Sequence, residues 1–434
     1  MSDLKAATVL LSAYACCPDR GSEPRYGWNY LLLYARAYPR VILVTSVTDH
    51  LRVRQELEAM NIRNVTLVVV QMSFGLDRLH FVPVGGIHLH YWLWLRAAKR
   101  AIRNLNEKID FAHHITYGSL QFGSPIYELS CPIVFGPVGG GQVTNKVFYP
   151  LMGKARYIEG IRNMVSSTFY RFNPFFKGTI AKASLIYCSN RETFVAAGSH
   201  LPADQQQKLK MMYDTVLDDR FLSAPLPEKQ PHRRQLSALW VGRLIPRKGI
   251  EVLLNTALLL KDEAFTLTLV GDGPMREKTL DFIKTHDLEK TVHFVGQVDQ
   301  QQLLEYYRKA DLLLFLSYRD SAGLQIVEAF SQGVPAISFD QFGASLIINE
   351  DTGIKIPIEG SVGEMQEKIA EAIRQLIREP ERLAAMSRHA ASYAREFSWE
   401  IRKQKILQDI KPLLLHEDAH DDAHEDVDLR LERV

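Results

Sequence analysis

Short apolar runs of strand length alternate with longer helical stretches along this chain, and the alternation occurs in two separate series. In the first, Thr8–Ser12 reads as a short, fully buried strand. A loop with Pro18, Gly21 and Pro24 follows, then a helix from about Tyr26 to Tyr38, and then the runs Val41–Thr45, Val65–Val70 and Ile133–Phe135. In the second, the runs are Leu239–Val241, Thr266–Val270, Val292–Val295, Leu312–Leu316 and Ala336–Phe339. Strands buried on both faces read as continuous apolar segments, and their alternation with helices builds parallel sheets from βαβ units. Between the two series, Leu222–Gln235 is polar and carries Pro225, Pro227 and Pro231, the composition of a linker. The expected architecture is α/β, with two doubly wound domains at 1–221 and 236–397 on either side of a 222–235 linker. Loops from the strand C-termini of both domains then face each other across a central cleft. The length of 434 residues agrees, being too great for one ordinary core. A helix is expected over Glu364–Ile377, with Ile369, Ile373, Leu376 and Ile377 on one face. A last helix, 398–415, is expected to cross back onto the first domain.

Composition adds one asymmetry. The formal net charge is only +2, yet residues 1–230 hold 26 Lys and Arg against 17 Asp and Glu, and the remainder holds 26 against 33. A basic first half points to anionic partners for that half, and an uneven surface is the plainer alternative. The four cysteines, Cys16, Cys17, Cys131 and Cys188, lack metal spacing, and two are adjacent, so reduced thiols are expected. Asp3 and Lys5 precede only a short apolar run, which does not read as a signal peptide. No stretch reaches the roughly 18 apolar residues of a spanning helix. The expectation is a cytoplasmic protein, free or peripheral at the inner face of the membrane. In the tail, 416–434, His416, His420 and His424 recur among carboxylates. If helical they could hold a metal weakly, but the polarity reads as a solvated disordered tail without a catalytic role.

Four loops of the second half follow expected strands and so belong on one sheet edge. The first, Gly242 to Gly249, carries Arg243 and Lys248, cations suited to a diphosphate leaving group when no metal neutralises it. The second contains Gly271 and Gly273, where glycine permits backbone shapes and close approach to a ligand, with a plain tight turn as the simpler reading, and the third, with Gly296, could bring backbone groups to a base edge. The fourth is Arg319–Asp320–Ser321–Ala322–Gly323–Leu324, opening a helix that carries Glu328. A helix start offers N–H groups and a positive dipole end to phosphate oxygens. Asp320 before it can point at sugar hydroxyls, and Glu328 further along can reach a ribose.

These residues in this order resemble family 4 retaining glycosyltransferases, whose acid-x7-acid motif matches Asp320…Glu328 and whose G-R-L…K-G loop matches Gly242–Leu244 with Lys248–Gly249. In the first half, Ser12–Ala13–Tyr14–Ala15–Cys16, Gly21–Ser22–Glu23–Pro24…Gly27–Trp28 and Gly136–Pro137–Val138–Gly139–Gly140–Gly141 look like enzymes that assemble bacterial surface polysaccharides. The resemblance implies a GT-B fold of two Rossmann-like domains, with the donor held mainly by the second. It implies that Arg243 and Lys248 hold the diphosphate, Glu328 the ribose and Asp320 the transferred sugar, while Gly21 approaches the phosphates across the cleft. It also implies a nucleotide-diphosphate sugar, UDP- or GDP-linked, with no metal or other cofactor. Two departures stand out. The first acid is Asp rather than the usual Glu, and the stretch Asp110–Phe111–Ala112–His113–His114–Ile115 lacks the second histidine of a D-x-x-H-x-H pattern. His113, with His114 behind it, is the candidate beside the donor sugar, and a satisfied histidine at a strand end is the competing reading.

The reaction so implied is hexosyl transfer with retention, onto a glycan or lipid-linked glycan, with no nucleic acid partner. His88–Arg96, followed by Lys99, Arg100 and Arg103, is aromatic and then basic; it suits either anionic lipid or a buried core helix. A GT-B epimerase or phosphorylase, or a non-catalytic nucleotide-sugar-binding subunit, would share the architecture.

Overall fold

The computed structural model describes residues 7–415 apart from Ser22, 73–75, 78, 80–85, 218, 224–225 and 227–234. Most of the expected 222–235 linker and the whole 416–434 tail lie outside the described residues. The first sheet consists of β1 (Thr8–Ser12), β2 (Arg40–Ser46), β3 (Val65–Val70), β4 (Phe111–His114), β5 (Ile133–Val138), β6 (Leu185–Cys188) and β7 (Leu209–Met211). The second consists of β8 (Leu236–Val241), β9 (Phe265–Val270), β10 (Val292–Gly296), β11 (Leu312–Phe315), β12 (Ala336–Phe339) and β13 (Gly353–Ile356). Strand order is β3-β2-β1-β4-β5-β6-β7 in one and β10-β9-β8-β11-β12-β13 in the other, and every pairing is parallel. Both sheets therefore reverse direction once, between β1 and β4 and between β8 and β11. In open α/β sheets, ligands bind outside the strand C-termini at such a reversal.

The central apolar runs form strands because both their faces are covered: Val41 to Val44 and Leu312 to Leu314 are at most 1% exposed. Helix limits also follow local chemistry. The Val362–Arg378 helix begins in a capping box, with Ser361 and Glu364 each accepting from the other's backbone N–H. Its Met365, Ile369, Ile373 and Leu376 recur at helical spacing and are buried in the second core.

Two segments tie the domains together. The Trp399–Leu415 helix places Ile406 and Ile410, both 0% exposed, in the core of the first sheet. Asp409 there accepts a 2.7 Å hydrogen bond from the Tyr187 hydroxyl. In the opposite direction, Phe148 and Met152 leave the first domain and join the second core, where Phe148 stacks on Tyr318 at 4.2 Å. Among the described residues, no helix is long and apolar enough to cross a membrane.

Candidate active site

The loops after β8, β9, β10 and β11 are joined to one another along one edge of the second sheet. Leu244 N–H donates to the Asp272 carbonyl at 3.0 Å, and Gly271 N–H to the Gly296 carbonyl at 2.8 Å. Tyr318 N–H donates to the Arg247 carbonyl at 2.8 Å, which brings the β11 loop against the β8 loop. Gly271 has φ +134°, and a Cβ there would stand 1.8 Å from the Gly242 carbonyl oxygen; at Gly273 it would meet the Leu244 backbone at 2.6 Å. These glycines let two loops touch, which is the tight-turn reading of this stretch. Gly296 closes β10 buried, with a left-handed φ of +89°, and a Cβ there would make only an ordinary 3.9 Å contact with the Phe294 ring.

Lys248 and Asp320 are in direct contact across the β8 and β11 loops, with side chains only 14% and 25% exposed. Asp320 also accepts from the Ser321 backbone N–H at 3.0 Å. Arg243 is exposed on the same loop as Lys248, and no hydrogen-bond or ion-pair partner holds its guanidinium among the described residues. The β11 loop ends at Gly323, whose left-handed φ of +70° and ψ of 50° turn the chain into the Leu324–Ser331 helix. Ala322 is half-buried and Leu324 39% exposed at that helix start. Glu328 lies on the helix half-buried, with a 2.9 Å hydrogen bond from the Tyr307 hydroxyl. The structure thus joins Lys248, Asp320 and the helix start, while Glu328 is held separately by Tyr307.

Ser321 is where the two domains meet. Its hydroxyl donates to Asp214 at 2.9 Å and lies 3.3 Å from the Ser189 hydroxyl, at the ends of β7 and β6. A Cβ on Gly139, in the triple-glycine loop after β5, would stand 3.0 Å from the same oxygen. The Phe342 N–H donates across to Glu192 at 3.3 Å. On the first domain, Gly21 is exposed and a Cβ there would meet no atom within 4 Å, so the chain itself does not demand glycine.

Glu23, one of the cleft's acids, accepts from the Tyr117 N–H at 2.9 Å. Loss of hydration, with a smaller contribution from Asp214, pushes its carboxyl up from 4.5 to about 7, against the effect of the Tyr117 bond. Asp214 rises likewise from 3.8 to about 6, chiefly through burial, and Ser321 opposes the shift. Glu23 stands inside the Gly21–Pro24 stretch, where nothing local marks its carboxyl as special, and Asp214 shows no local signal either. The folded chain holds a proton on Glu23 that the unfolded chain gives up between pH 4.5 and 7. The stability contribution of this group is therefore present below pH 4.5 and lost as pH rises through 7. Glu23→Gln should flatten the fall of Tm across that window, as thermal melts at stepped pH will show. Parallel wild-type and variant profiles would contradict it.

The histidine expectation is corrected. His113 is 0% exposed, its Nε2 2.8 Å from the Gly136 carbonyl and its Nδ1 2.6 Å from the Tyr34 hydroxyl. Nε2 must donate to that carbonyl, so Nδ1 accepts and the ring is neutral and fully satisfied. His114 is equally buried, 2.9 Å from the Tyr91 hydroxyl and 2.9 Å from the Ser12 hydroxyl. Burial holds both far below the usual range, at about 3. They are core groups of β4, buried and hydrogen-bonded within the first domain, which is the satisfied-histidine reading.

Of the two readings of the aromatic segment His88–Arg96, the core helix is the one that fits its burial. The segment lies in the Gly86–Arg103 helix, whose Tyr91, Trp94 and Leu95 are at most 1% exposed. Lys99 and Arg103 both pair with Glu128. This helix is covered by its own domain.

One ion-pair group was not legible in the sequence. Glu159, 3% exposed on the Ala155–Phe172 helix, accepts from Arg319 at 2.6 Å, Arg162 at 2.6 Å and Thr144 at 3.2 Å. Arg319 is itself 9% exposed and precedes Asp320, so a buried charge pair anchors the β11 loop to the first half of the chain. Among the described residues, no group of three or more His, Cys, Asp or Glu side chains could hold a metal ion.

Residues 226–393 match the family model described as Glycosyl transferases group 1. A D-inositol 3-phosphate glycosyltransferase of Rhodococcus jostii (strain RHA1) is 30% identical over 188 residues, covering 41% of this chain and 40% of that protein. The chain thus matches less than half the length of that curated relative. The structure of Anabaena HepE in complex with UDP is similar, with a TM-score of 0.59, 17% identity, and coverage of 93% of this chain and 99% of that one. The structure of WaaG, a glycosyltransferase involved in lipopolysaccharide biosynthesis, gives the same TM-score of 0.59, identity of 17% and coverage of 93% and 99%. At such identity the likeness speaks for the fold, and that fold is GT-B: two parallel-sheet α/β domains.

Proposed function

We propose that this chain is a glycosyltransferase that moves a hexosyl group from a nucleoside diphosphate to a glycan or lipid-linked glycan, with retention and without a metal. The carrying observation is the meeting of the β8 and β11 loops at the strand-order reversal, where Lys248 contacts Asp320 beside the Gly323 helix start. Concentrated cations and free helix N–H groups suit the charge that grows on a departing diphosphate. The family match over residues 226–393 supports this reading, and the UDP bound to HepE supports a UDP-linked donor. WaaG's part in lipopolysaccharide biosynthesis supports a surface-glycan acceptor.

In this reading the diphosphate sits against Arg243, Lys248 and the helix start, and Gly21 gives it room from the first domain. Lys248 then lies between the phosphate and Asp320, whose carboxylate faces the sugar hydroxyls, while Glu328 takes the ribose. The C1–O bond to the β-phosphate breaks first, through an oxocarbenium-like state. The acceptor oxygen bonds to C1 on the same face, and its proton passes to the departing phosphate oxygen. With His113 and His114 buried in the core, this route asks for no histidine base. The burial of those histidines is also the observation that favours a non-catalytic nucleotide-sugar-binding subunit.

Thermal melts with UDP-, GDP- and ADP-sugars test donor binding. A ligand at about 100 times its Kd stabilises by about 2.7 kcal/mol, so one nucleotide class should raise Tm clearly. Glycoside formed with an added acceptor then separates transfer from epimerisation, phosphorolysis or binding alone. No Tm response to any nucleotide sugar would contradict the proposal.

A further inference from the structure

The Ala155–Phe172 helix leaves a long apolar stripe facing outward. A surface helix of a globular domain buries an apolar stripe and hydrates a polar one. Here the inner face carries Glu159, Arg162, Asn163 and Ser166, with Phe169 and Tyr170 packing on the core only in the last turns, all buried or half-buried. The outer face carries Tyr157, Ile161, Met164 and Phe172, each 58–67% exposed, with Ile158 and Val165 beside them. Tyr157, Ile161 and Met164 recur every three or four residues, and the same face continues through exposed Thr168 to Phe172, so they form one stripe along the helix.

The charge around this stripe has one sign. Residues 143–182 contain seven Lys and Arg and a single acid, Glu159. That acid is turned inward and held by Arg162 and Arg319, so Lys154, Arg156 and Arg171 flank the apolar face with no carboxylate among them. A cavity of about 580 Å³ opens beside the helix, between Ser167, Tyr170 and Arg171 on one side and Gly140 and Gly141 of the triple-glycine loop on the other.

We infer that this helix lies in the plane of an anionic lipid surface, its apolar stripe in the acyl boundary and its cations at the headgroups. Apolar area and electrostatic attraction to anionic headgroups add in such binding. A second copy of the chain is the less fitting occupant, because a two-fold interface would set Arg156 and Arg171 against the same cations of its mate. The inference rests on the proposed transfer reaction only for its purpose: a lipid-linked acceptor arriving along this helix reaches the cleft's triple-glycine loop through the cavity. Docking itself does not depend on that reading.

The test is co-sedimentation of the full chain with vesicles of phosphatidylcholine containing phosphatidylglycerol, against phosphatidylcholine alone. Binding should require the anionic lipid and weaken with salt. Ile161→Asp with Met164→Asp should lower it about tenfold or more, and Arg156→Ser with Arg171→Ser should lower it on the anionic vesicles alone. All these positions are exposed, so Tm and the Tm response to nucleotide sugar should stay at wild-type values. No binding to anionic vesicles would overturn the inference, and so would a dimer that Ile161→Asp dissolves. If the nucleotide-sugar response persists while vesicle binding is absent, the docking surface falls and the proposed reaction stands.

Discussion

Lys248→Ala should lower turnover by about 10²–10³-fold, the range seen when one preorganised charge-stabilising donor is removed from an active site. Its ammonium is largely withdrawn from water and touches Asp320, so it is held in place before any substrate arrives. Interactions that strengthen as the diphosphate separates act on kcat more than on KM. Removing the ammonium also leaves Asp320 without its partner, in a cleft where Asp214 already feels its charge. Arg243→Ala should fall in the same direction, and more in KM, because that exposed guanidinium must be ordered by the ligand itself. Steady-state rates with the donor chosen by the melts decide the matter. Near-normal kcat in both variants would remove the leaving-group role from this loop.

Glu159→Ala should destabilise the fold by about 3–5 kcal/mol, the cost of breaking a buried ion pair from one side. The Glu159 side chain is 4% exposed and that of Arg319 11%, so the guanidinium is left without water or its main counter-charge. Burial already holds Arg319 below its ordinary value, with Glu159 opposing the shift. The loss should appear in denaturant unfolding and also in turnover, because Arg319 sits next to Asp320. Replacing both partners together, Glu159→Leu with Arg319→Leu, should recover much of the stability. Simple addition of the two single losses would show that the pair is not coupled.

The second domain was readable because its chemistry is contiguous. Strands covered on both faces appear as unbroken apolar runs, and Arg243 with Lys248, or Asp320 with Gly323, lie within single loops. The strands that escaped notice are short or polar: β7 has three residues and an exposed Lys210, and β4 ends in two histidines. Those histidines also show why a local motif misleads. Neighbouring residues of a strand point to opposite faces, so His113 enters one core against Tyr34 and His114 the other against Tyr91. The cleft's contributions come from the start of the Glu23–Ala37 helix and, for Ser189 and Asp214, from the ends of β6 and β7, and only the folded order brings the last two to Ser321. A similar limit applies to the two aromatic, basic helices. Both have an apolar stripe, but the sequence does not say which stripe the rest of the chain will cover; Gly86–Arg103 is covered and Ala155–Phe172 is not.

Those points leave the grip on the diphosphate as the claim from which the others take their meaning. Calorimetric titration of UDP and UMP into the wild-type chain, Arg243→Ala and Lys248→Ala measures it directly. Charge-assisted hydrogen bonds to the second phosphate contribute about 1.5–3 kcal/mol, so the wild type should prefer UDP about 10- to 100-fold and each variant should lose most of that preference. Equal affinity for the two nucleotides in the wild type, or an undiminished preference in both variants, would place the diphosphate elsewhere and contradict the account.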